Sequence, residues 1–210
     1  STVFYTNNDR VGWGEVMGEA LKSNATLYNL ARDGISSKTY LQSGRLNVIN
    51  SKVQEGDFIF FQLAHNDRNP SSNPDKGTTI PEYKENLRKY VAFAKSRGAN
   101  FIFVTPATLR GDVENAIKNG NSVEAAVNAS SLKPYAVAME EVAAELQVPI
   151  IDLWRTSTRE FAALGADVTK NEIFWENDGT HFTEKGAKAL LQMIKDLLKE
   201  QNLEPISYFK

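Results

Sequence analysis

The spacing of apolar residues along the chain alternates between two periods, and that alternation predicts the fold. From Trp13 to Leu21 the apolar positions Trp13, Val16, Met17, Ala20 and Leu21 recur at helical spacing, with Asn24 as a stop. Thr26 to Leu30, rich in β-branched and aromatic residues, reads as a short strand, and a helix over about Lys38 to Val53 would bury Leu41, Leu46, Val48 and Ile49. The run Phe58-Ile59-Phe60-Phe61-Gln62-Leu63 is nearly continuous in apolar character, as in strands covered on both faces of a parallel sheet. Glu82 to Arg97 is helical and ends at Gly98-Ala99-Asn100; Phe101 to Val104 is a second buried strand, stopped by Thr105-Pro106. Residues 107–132 follow neither period. Tyr135 to Leu146 and Arg155 to Leu164 are helical, Val148 to Leu153 is the last strand, residues 165–180 form a long loop, and Glu184 to Glu200 is an amphipathic helix. The tail Ile206 to Phe209 could add a strand.

Strands alternating with helices imply an α/β fold: a three-layer α/β/α sandwich around a parallel sheet of about five strands, flavodoxin-like in order. In such sheets the site lies at the carboxyl ends of the strands. Gly34, His65-Asn66 and Pro106 each follow a strand, so their loops are expected to converge on one edge, where the loop carrying Asp178 to His181 can join them.

Length and charge narrow the function. No linker divides the 210 residues, and one domain over 1–210 is expected. A net charge of −2 with scattered Lys and Arg gives no footprint for nucleic acid or an anionic membrane. No apolar stretch approaches the roughly 20 residues of a spanning helix, and the N-terminus has no signal-peptide pattern. A soluble protein is expected, its compartment left open. The absence of cysteine excludes disulfides and thiolate catalysis. Asp67, Asp152 and Asp178 lie on separate loops without metal-ligand spacing, so neither metal nor cofactor is expected.

The chemistry concentrates in two polar clusters. In Asp178-Gly179-Thr180-His181 a carboxylate three residues before an imidazole can fix the tautomer and orientation of a general base. The bland alternative is an Asp capping a helix beside a surface His. The second cluster, Ala64-His65-Asn66-Asp67, ends the first buried strand. His65 reads mainly as a structural residue beneath the site, with substrate contact as the alternative. Trp175 either stacks on a sugar face or fills a gap.

Four blocks, in order along nearly the whole chain, resemble the SGNH (GDSL-type) hydrolase family and its rhamnogalacturonan acetylesterase branch. They are Ser1-Thr2-Val3 followed by Gly12-Trp13-Gly14-Glu15; Asn29-Leu30-Ala31-Arg32-Asp33-Gly34; Gln62-Leu63-Ala64-His65-Asn66-Asp67; and Asp178-Gly179-Thr180-His181. The resemblance implies Ser1 as nucleophile, His181 as its base and Asp178 as the group orienting His181. It also implies an oxyanion hole built from the Ser1 and Gly34 backbone N–H groups and the Asn66 amide. The implied activity is removal of O-acetyl groups from an acetylated carbohydrate such as a rhamnogalacturonan oligosaccharide. A lipase or lysophospholipase on the same scaffold is the enzymatic alternative, which the polar loops 65–79 and 165–180 disfavour. A non-catalytic carbohydrate-binding protein is the other. The family has a strand and Gly-Asp before its serine, so the first strand of the sheet is expected to be lacking from a sequence that begins at Ser1. Ala64 stands for the usual glycine and Ile35 for the usual arginine.

Overall fold

A computed structural model describes residues 2–5, 9–176 and 178–210. The chain divides into two compact units. One holds the described residues up to Arg32, with Ala107–Ser130 and Asp152–Lys210; the other holds Asp33–Pro106 and Ser131–Ile151.

The second unit contains the sheet. Strands β1 (Phe58–Phe61), β2 (Asn100–Val104) and β3 (Ile150–Ile151) are parallel and adjacent in that order, with Phe58 opposite Asn100 and Phe103 opposite Ile150. The apolar run of β2 buries as the pattern predicts, with Ile102, Phe103 and Val104 almost wholly covered, as is Ile151 of β3; in β1 Phe61 is buried but Phe58, Ile59 and Phe60 are only part-covered, short of the coverage on both faces that the pattern predicts. The rings of Phe61, Phe101 and Phe103 meet at 4.9–5.8 Å between centroids, in tilted and edge-on arrangements that suit aromatic quadrupoles. Helix α4 (Ile80–Ser96) starts at a reciprocal cap between Thr79 and Glu82, then sets Tyr83, Leu87, Tyr90, Val91 and Ala94 on its covered face. It packs against β2 and against α7 (Lys133–Leu146). The helix expected over 38–53 is two short ones, α2 (Ser37–Gln42) and α3 (Arg45–Asn50). Gly44, at φ +69°, breaks the ladder between them.

The first unit is helical. Its helices are α1 (Trp13–Ala20), α5 (Arg110–Lys118), α6 (Val123–Ala129), α8 (Leu153–Leu164), the single turn α9 (Ala166–Val168) and α10 (Glu184–Glu200). α5 and α6 occupy the stretch that showed no period. They are separated by Gly120 and Asn121, both left-handed at φ +67° and +63°. A π-helical turn, Thr169–Ile173, follows α9 within the expected long loop.

The described residues form three strands, not five. Residues 26–29 alternate in and out, with Leu27 and Asn29 part-covered and Tyr28 exposed, yet 26–30 are irregular. β-propensity reflects fit to a pleated, half-buried surface, and the composition alone cannot supply the neighbouring ladder. The tail is also no strand. Glu204–Tyr208 is a 3-10 turn, and Phe209 makes a single antiparallel bridge to Leu21.

Candidate active site

The loop carrying His181 is fixed from within the first unit. Phe174 and Phe182 form an antiparallel bridge, and the Trp175 N–H donates to the His181 carbonyl at 3.0 Å, closing the loop at its neck. Below it the rings of Phe161, Phe174 and Phe182 cluster in tilted and edge-on pairs and are at most 1% exposed. Beyond His181, Thr183 accepts from the Gly186 N–H at 3.1 Å and so caps α10. Gly186 is required by close approach, since a Cβ there would lie 2.3 Å from the Ile173 carbonyl oxygen. From α5, the Arg110 N–H donates to the Gly179 carbonyl at 2.9 Å. A helix start and an aromatic cluster therefore hold both ends of the loop.

Within this loop the expected pair is formed. Asp178 Oδ2 and His181 Nδ1 are 2.6 Å apart, while Oδ1 accepts from the Thr180 N–H at 2.6 Å and the His181 N–H at 3.0 Å. Burial raises the Asp178 pKa, but hydrogen bonds from the His181 ring and from the Thr180 and His181 backbone outweigh it and hold the carboxyl below its ordinary value. Asp178 is thus a carboxylate with one oxygen on the imidazole and the other on the loop backbone. With Nδ1 engaged by Asp178, Nε2 is the ring nitrogen through which a proton could pass to or from a reacting group. Asp178 also serves two local backbone donors, with the oxygen that does not face the ring, but neither donor belongs to a helix: α10 begins at Glu184 and is capped by Thr183, so Asp178 is not a helix cap.

One aromatic ring stands against the imidazole, and a cation lies against that ring. Tyr5 stands edge-on to His181, with 5.8 Å between ring centroids and planes at 90°. Arg10 places its guanidinium carbon over the Tyr5 ring at 4.6 Å and over the Trp175 ring at 5.4 Å. Trp175, one of the expected substrate-binding residues, therefore sits against Arg10 with its backbone tied to His181. Tyr5 and Arg10 carried no expectation, because neither lies in a motif.

The expected nucleophile and first oxyanion donor, Ser1, lies outside the described residues. The residues that follow it are tightly placed. A Cβ on Gly12 would lie 2.3 Å from the Val3 carbonyl oxygen, and one on Gly14 would lie 2.5 Å from that of Thr2. Asn29 Nδ2 donates to the same Thr2 oxygen at 2.9 Å. The glycines of the Gly-Trp-Gly block thus let the backbone of residues 2–3 cross the start of α1, while Trp13 is buried core, 2% exposed.

In the second unit, Gly34 adopts φ +66°, a conformation that a side chain would strain. Asn66 Nδ2 donates to the Ile35 carbonyl at 3.1 Å, tying the two expected oxyanion loops together. An amide has two N–H donors, so this bond uses one. The His65 carbonyl accepts from Arg68 Nε at 3.0 Å, and its ring is part-covered.

Asp67 joins these loops from below. It is fully buried and accepts from the Ser37 N–H at 3.0 Å, from Ser37 Oγ at 2.5 Å and from Thr78 Oγ1 at 2.9 Å. Asn86 and Tyr90 of α4 complete the cluster by donating to Ser37 Oγ and the Ser37 carbonyl. Burial pushes the Asp67 carboxyl up, against the hydrogen bonds from Ser37 and Thr78 and the charge of Lys38, which pull it down. Sequence reasoning weighed Asp67 only as a metal ligand. Its place immediately after Asn66, at the exit of a buried strand, is the signal that it anchors the loop. Among the described residues, no three His, Asp or Glu side chains gather as metal ligands.

The expected residues divide between the units, Asp178, His181 and Trp175 in the first and Gly34, His65 and Asn66 in the second. A sequence model of the GDSL-like lipase/acylhydrolase family matches residues 2–189. The chain is 33% identical over 197 residues to YesY of Bacillus subtilis (strain 168), a probable rhamnogalacturonan acetylesterase, covering 91% of this chain and 85% of YesY. It is 28% identical over 204 residues to the rhamnogalacturonan acetylesterase RhgT of the same organism, covering 91% and 82%. The solved structure of the Bacillus subtilis protein YxiM matches with a TM-score of 0.80 at 24% identity over 93% of this chain and 52% of that longer one. An acetyl xylan esterase, AlAXEase, matches with a TM-score of 0.58 at 14% identity over 78% and 76%. These two structures share the α/β fold.

Proposed function

The chain belongs to the GDSL-like lipase/acylhydrolase family and is a carboxylic ester hydrolase, and from that premise we propose that it is a serine esterase removing O-acetyl groups from carbohydrate. Its substrates are acetylated rhamnogalacturonan oligosaccharides, the class named for YesY and RhgT. The observation that carries this reading is the 2.6 Å contact between Asp178 Oδ2 and His181 Nδ1, on a carboxylate whose other oxygen is held by two backbone donors.

A serine hydroxyl is a weak nucleophile until a base accepts its proton. In the proposed reaction Ser1 Oγ attacks the acetyl carbonyl carbon while His181 Nε2 takes the hydroxyl proton, and Asp178 stabilises the imidazolium. The tetrahedral oxyanion accepts hydrogen bonds from the Ser1 and Gly34 N–H groups and from the second N–H of the Asn66 amide, each worth about 3 kcal/mol of barrier. As the carbon–oxygen bond to the sugar breaks, His181 returns the proton to the departing sugar hydroxyl, leaving an acetyl-enzyme on Ser1. Water then attacks the acetyl group, its proton passing to His181 and back to Ser1, and acetate leaves.

Support for Ser1, Gly34 and Asn66 comes from the ordered sequence blocks. The left-handed Gly34 and the Asn66–Ile35 bond support both loops as shaped backbone rather than passive turns. The test is acetate release from acetylated rhamnogalacturonan oligosaccharides by the parent and by His181→Ala. The parent should release acetate and the variant should be slower by about a thousandfold or more. Activity of the variant within tenfold of the parent contradicts the mechanism.

A further inference from the structure

A lysine of the second unit stands beside one of the proposed oxyanion donors. A Cβ on Gly34 would lie 3.3 Å from Lys76 Nζ. Standard covalent geometry puts a Cβ about 2.5 Å from its own backbone nitrogen, so the ammonium is no more than about 6 Å from the Gly34 nitrogen. Lys76 is part-covered, and among the described residues its ammonium makes no hydrogen bond and no ion pair. Neighbouring lysines are engaged. Lys38 Nζ donates to the Pro74 and Gly77 carbonyls at 2.8 and 3.0 Å, and Lys84 pairs with Glu141.

The loop that carries Lys76 is built rather than loose. The two bonds from Lys38 straddle Lys76 and tie its backbone to α2. The Gly77 N–H donates to the Asn73 carbonyl at 2.7 Å, and a Cβ on Gly77 would lie 2.4 Å from Pro70 Cα. The next residue, Thr78, donates its N–H to the Asp67 carbonyl at 3.0 Å and its hydroxyl to the Asp67 carboxylate at 2.9 Å. Asp67 follows Asn66, so the backbone under Lys76 shares its anchor with the Asn66 loop. Gly34, Asn66 and Lys76 all belong to this unit.

The proposed oxyanion hole consists of neutral donors, and the negative charge that develops on the acetyl oxygen has no counter-charge among them. A hydrogen bond must be short and aligned to act, whereas the field of a full charge falls only as the inverse of distance. We infer that the Lys76 ammonium is the counter-charge of this oxyanion, stabilising the tetrahedral intermediates of acylation and deacylation through its field and exchanging no proton with them. This rests on the serine acetylesterase reading and adds an electrostatic residue to it. At about 6 Å such a charge should contribute about tenfold in rate, between the limits set by bulk water and by a protein surface. The ester carbonyl of the ground state is neutral and gains little, so the effect belongs to kcat and leaves KM in place.

The experiment measures kcat and KM for acetate release from xylose tetraacetate, which carries no anion that could answer to the lysine, and from acetylated rhamnogalacturonan oligosaccharides. The enzymes are the parent, Lys76→Met, Lys76→Gln and Lys76→Arg, each first checked for a parental urea-unfolding midpoint. Met and Gln are both neutral but differ in polarity, so a folding failure of one leaves the other to decide. The neutral variants should lose about tenfold in kcat with KM within about twofold of the parent. Lys76→Arg keeps the charge and should keep at least about half of the parental kcat. A folded neutral variant within about twofold of the parental kcat overturns the inference. So does a loss confined to KM, which would mark a binding contact, or a folded Lys76→Arg variant as slow as the neutral ones, which would mark packing. Acetate release by the parent from neither substrate overturns the acetylesterase reading itself, and this inference with it.

Discussion

Asp178→Asn isolates the orienting carboxylate with almost no change in shape. Asp178 Oδ1 accepts from two backbone N–H groups, at 2.6 and 3.0 Å, and these donors can be served only by an oxygen. The amide introduced at this position must therefore keep its oxygen on the backbone side and turn its NH2 group toward His181 Nδ1. Nδ1 then becomes an acceptor, the ring proton moves to Nε2, and the imidazole can no longer take a proton from the serine. The expected loss in kcat is about 10⁴-fold, or about 5.4 kcal/mol of barrier. The effect on folding is smaller, about 1 kcal/mol, because one charged hydrogen bond is replaced by a neutral one on a part-exposed loop. That stability difference also has a defined pH dependence. The Asp178 pKa is lowered on folding, so the carboxylate contributes stability above its ordinary value and loses it as pH falls through the folded value. The gap between parent and variant should be full at neutral pH and begin to close only below about pH 4, the ordinary Asp value. The assay is kcat on 4-nitrophenyl acetate, with urea melts of both proteins at neutral pH and at about pH 3.5, below the ordinary Asp value. A folded variant retaining a tenth or more of the parental kcat refutes the argument.

Two further perturbations follow from the packing. Gly12→Ala sets a methyl 2.3 Å from the Val3 carbonyl oxygen; moving the segment after Ser1 by about 1 Å should cost about 10²-fold in kcat while far-UV circular dichroism stays parental. Unchanged kcat would show that this crossing does not position the nucleophile. Asp67→Ala leaves the Ser37 N–H, Ser37 Oγ and Thr78 Oγ1 without their acceptor, a loss of about 3 kcal/mol or more measured by urea unfolding at neutral pH. The Asp67 carboxyl is pushed up by burial, so protonation favours the folded parent. The deficit of the variant should widen as pH falls from neutral toward about 4, the ordinary Asp value, and a deficit that narrows would contradict the assigned direction.

What could be read from the sequence was what local pattern determines. α4 and α10 bury wide apolar stripes behind the N-caps Thr79 and Thr183, α7 buries one behind a proline in its first turn, and β1 and β2 are continuous apolar runs of strand length. The glycine inside 38–53 was a visible breaker whose effect depends on φ +69°, which no periodicity reports. α5 and α6 escaped because the left-handed pair Gly120-Asn121 shifts the apolar stripe between two short helices. The strand expected at 26–30 lacked no propensity; a ladder is a property of neighbours, and composition does not name them. In the site, Asp178 and His181 are three residues apart and legible as a pair. Asp67 and Ser37 are 30 residues apart, and Tyr5, Arg10 and Trp175 meet only through folding. Those contacts had no sequence signature beyond the residue types themselves.

The central claim is that Ser1 is a nucleophile activated by His181. Reaction with a serine-directed phosphonate, followed by peptide mass mapping of the parent and of His181→Ala, tests it most directly. One adduct is expected, on the peptide containing Ser1, forming in step with loss of esterase activity and strongly slowed in His181→Ala. Complete inactivation with the adduct on a different residue, or a modified Ser1 with activity intact, would contradict it.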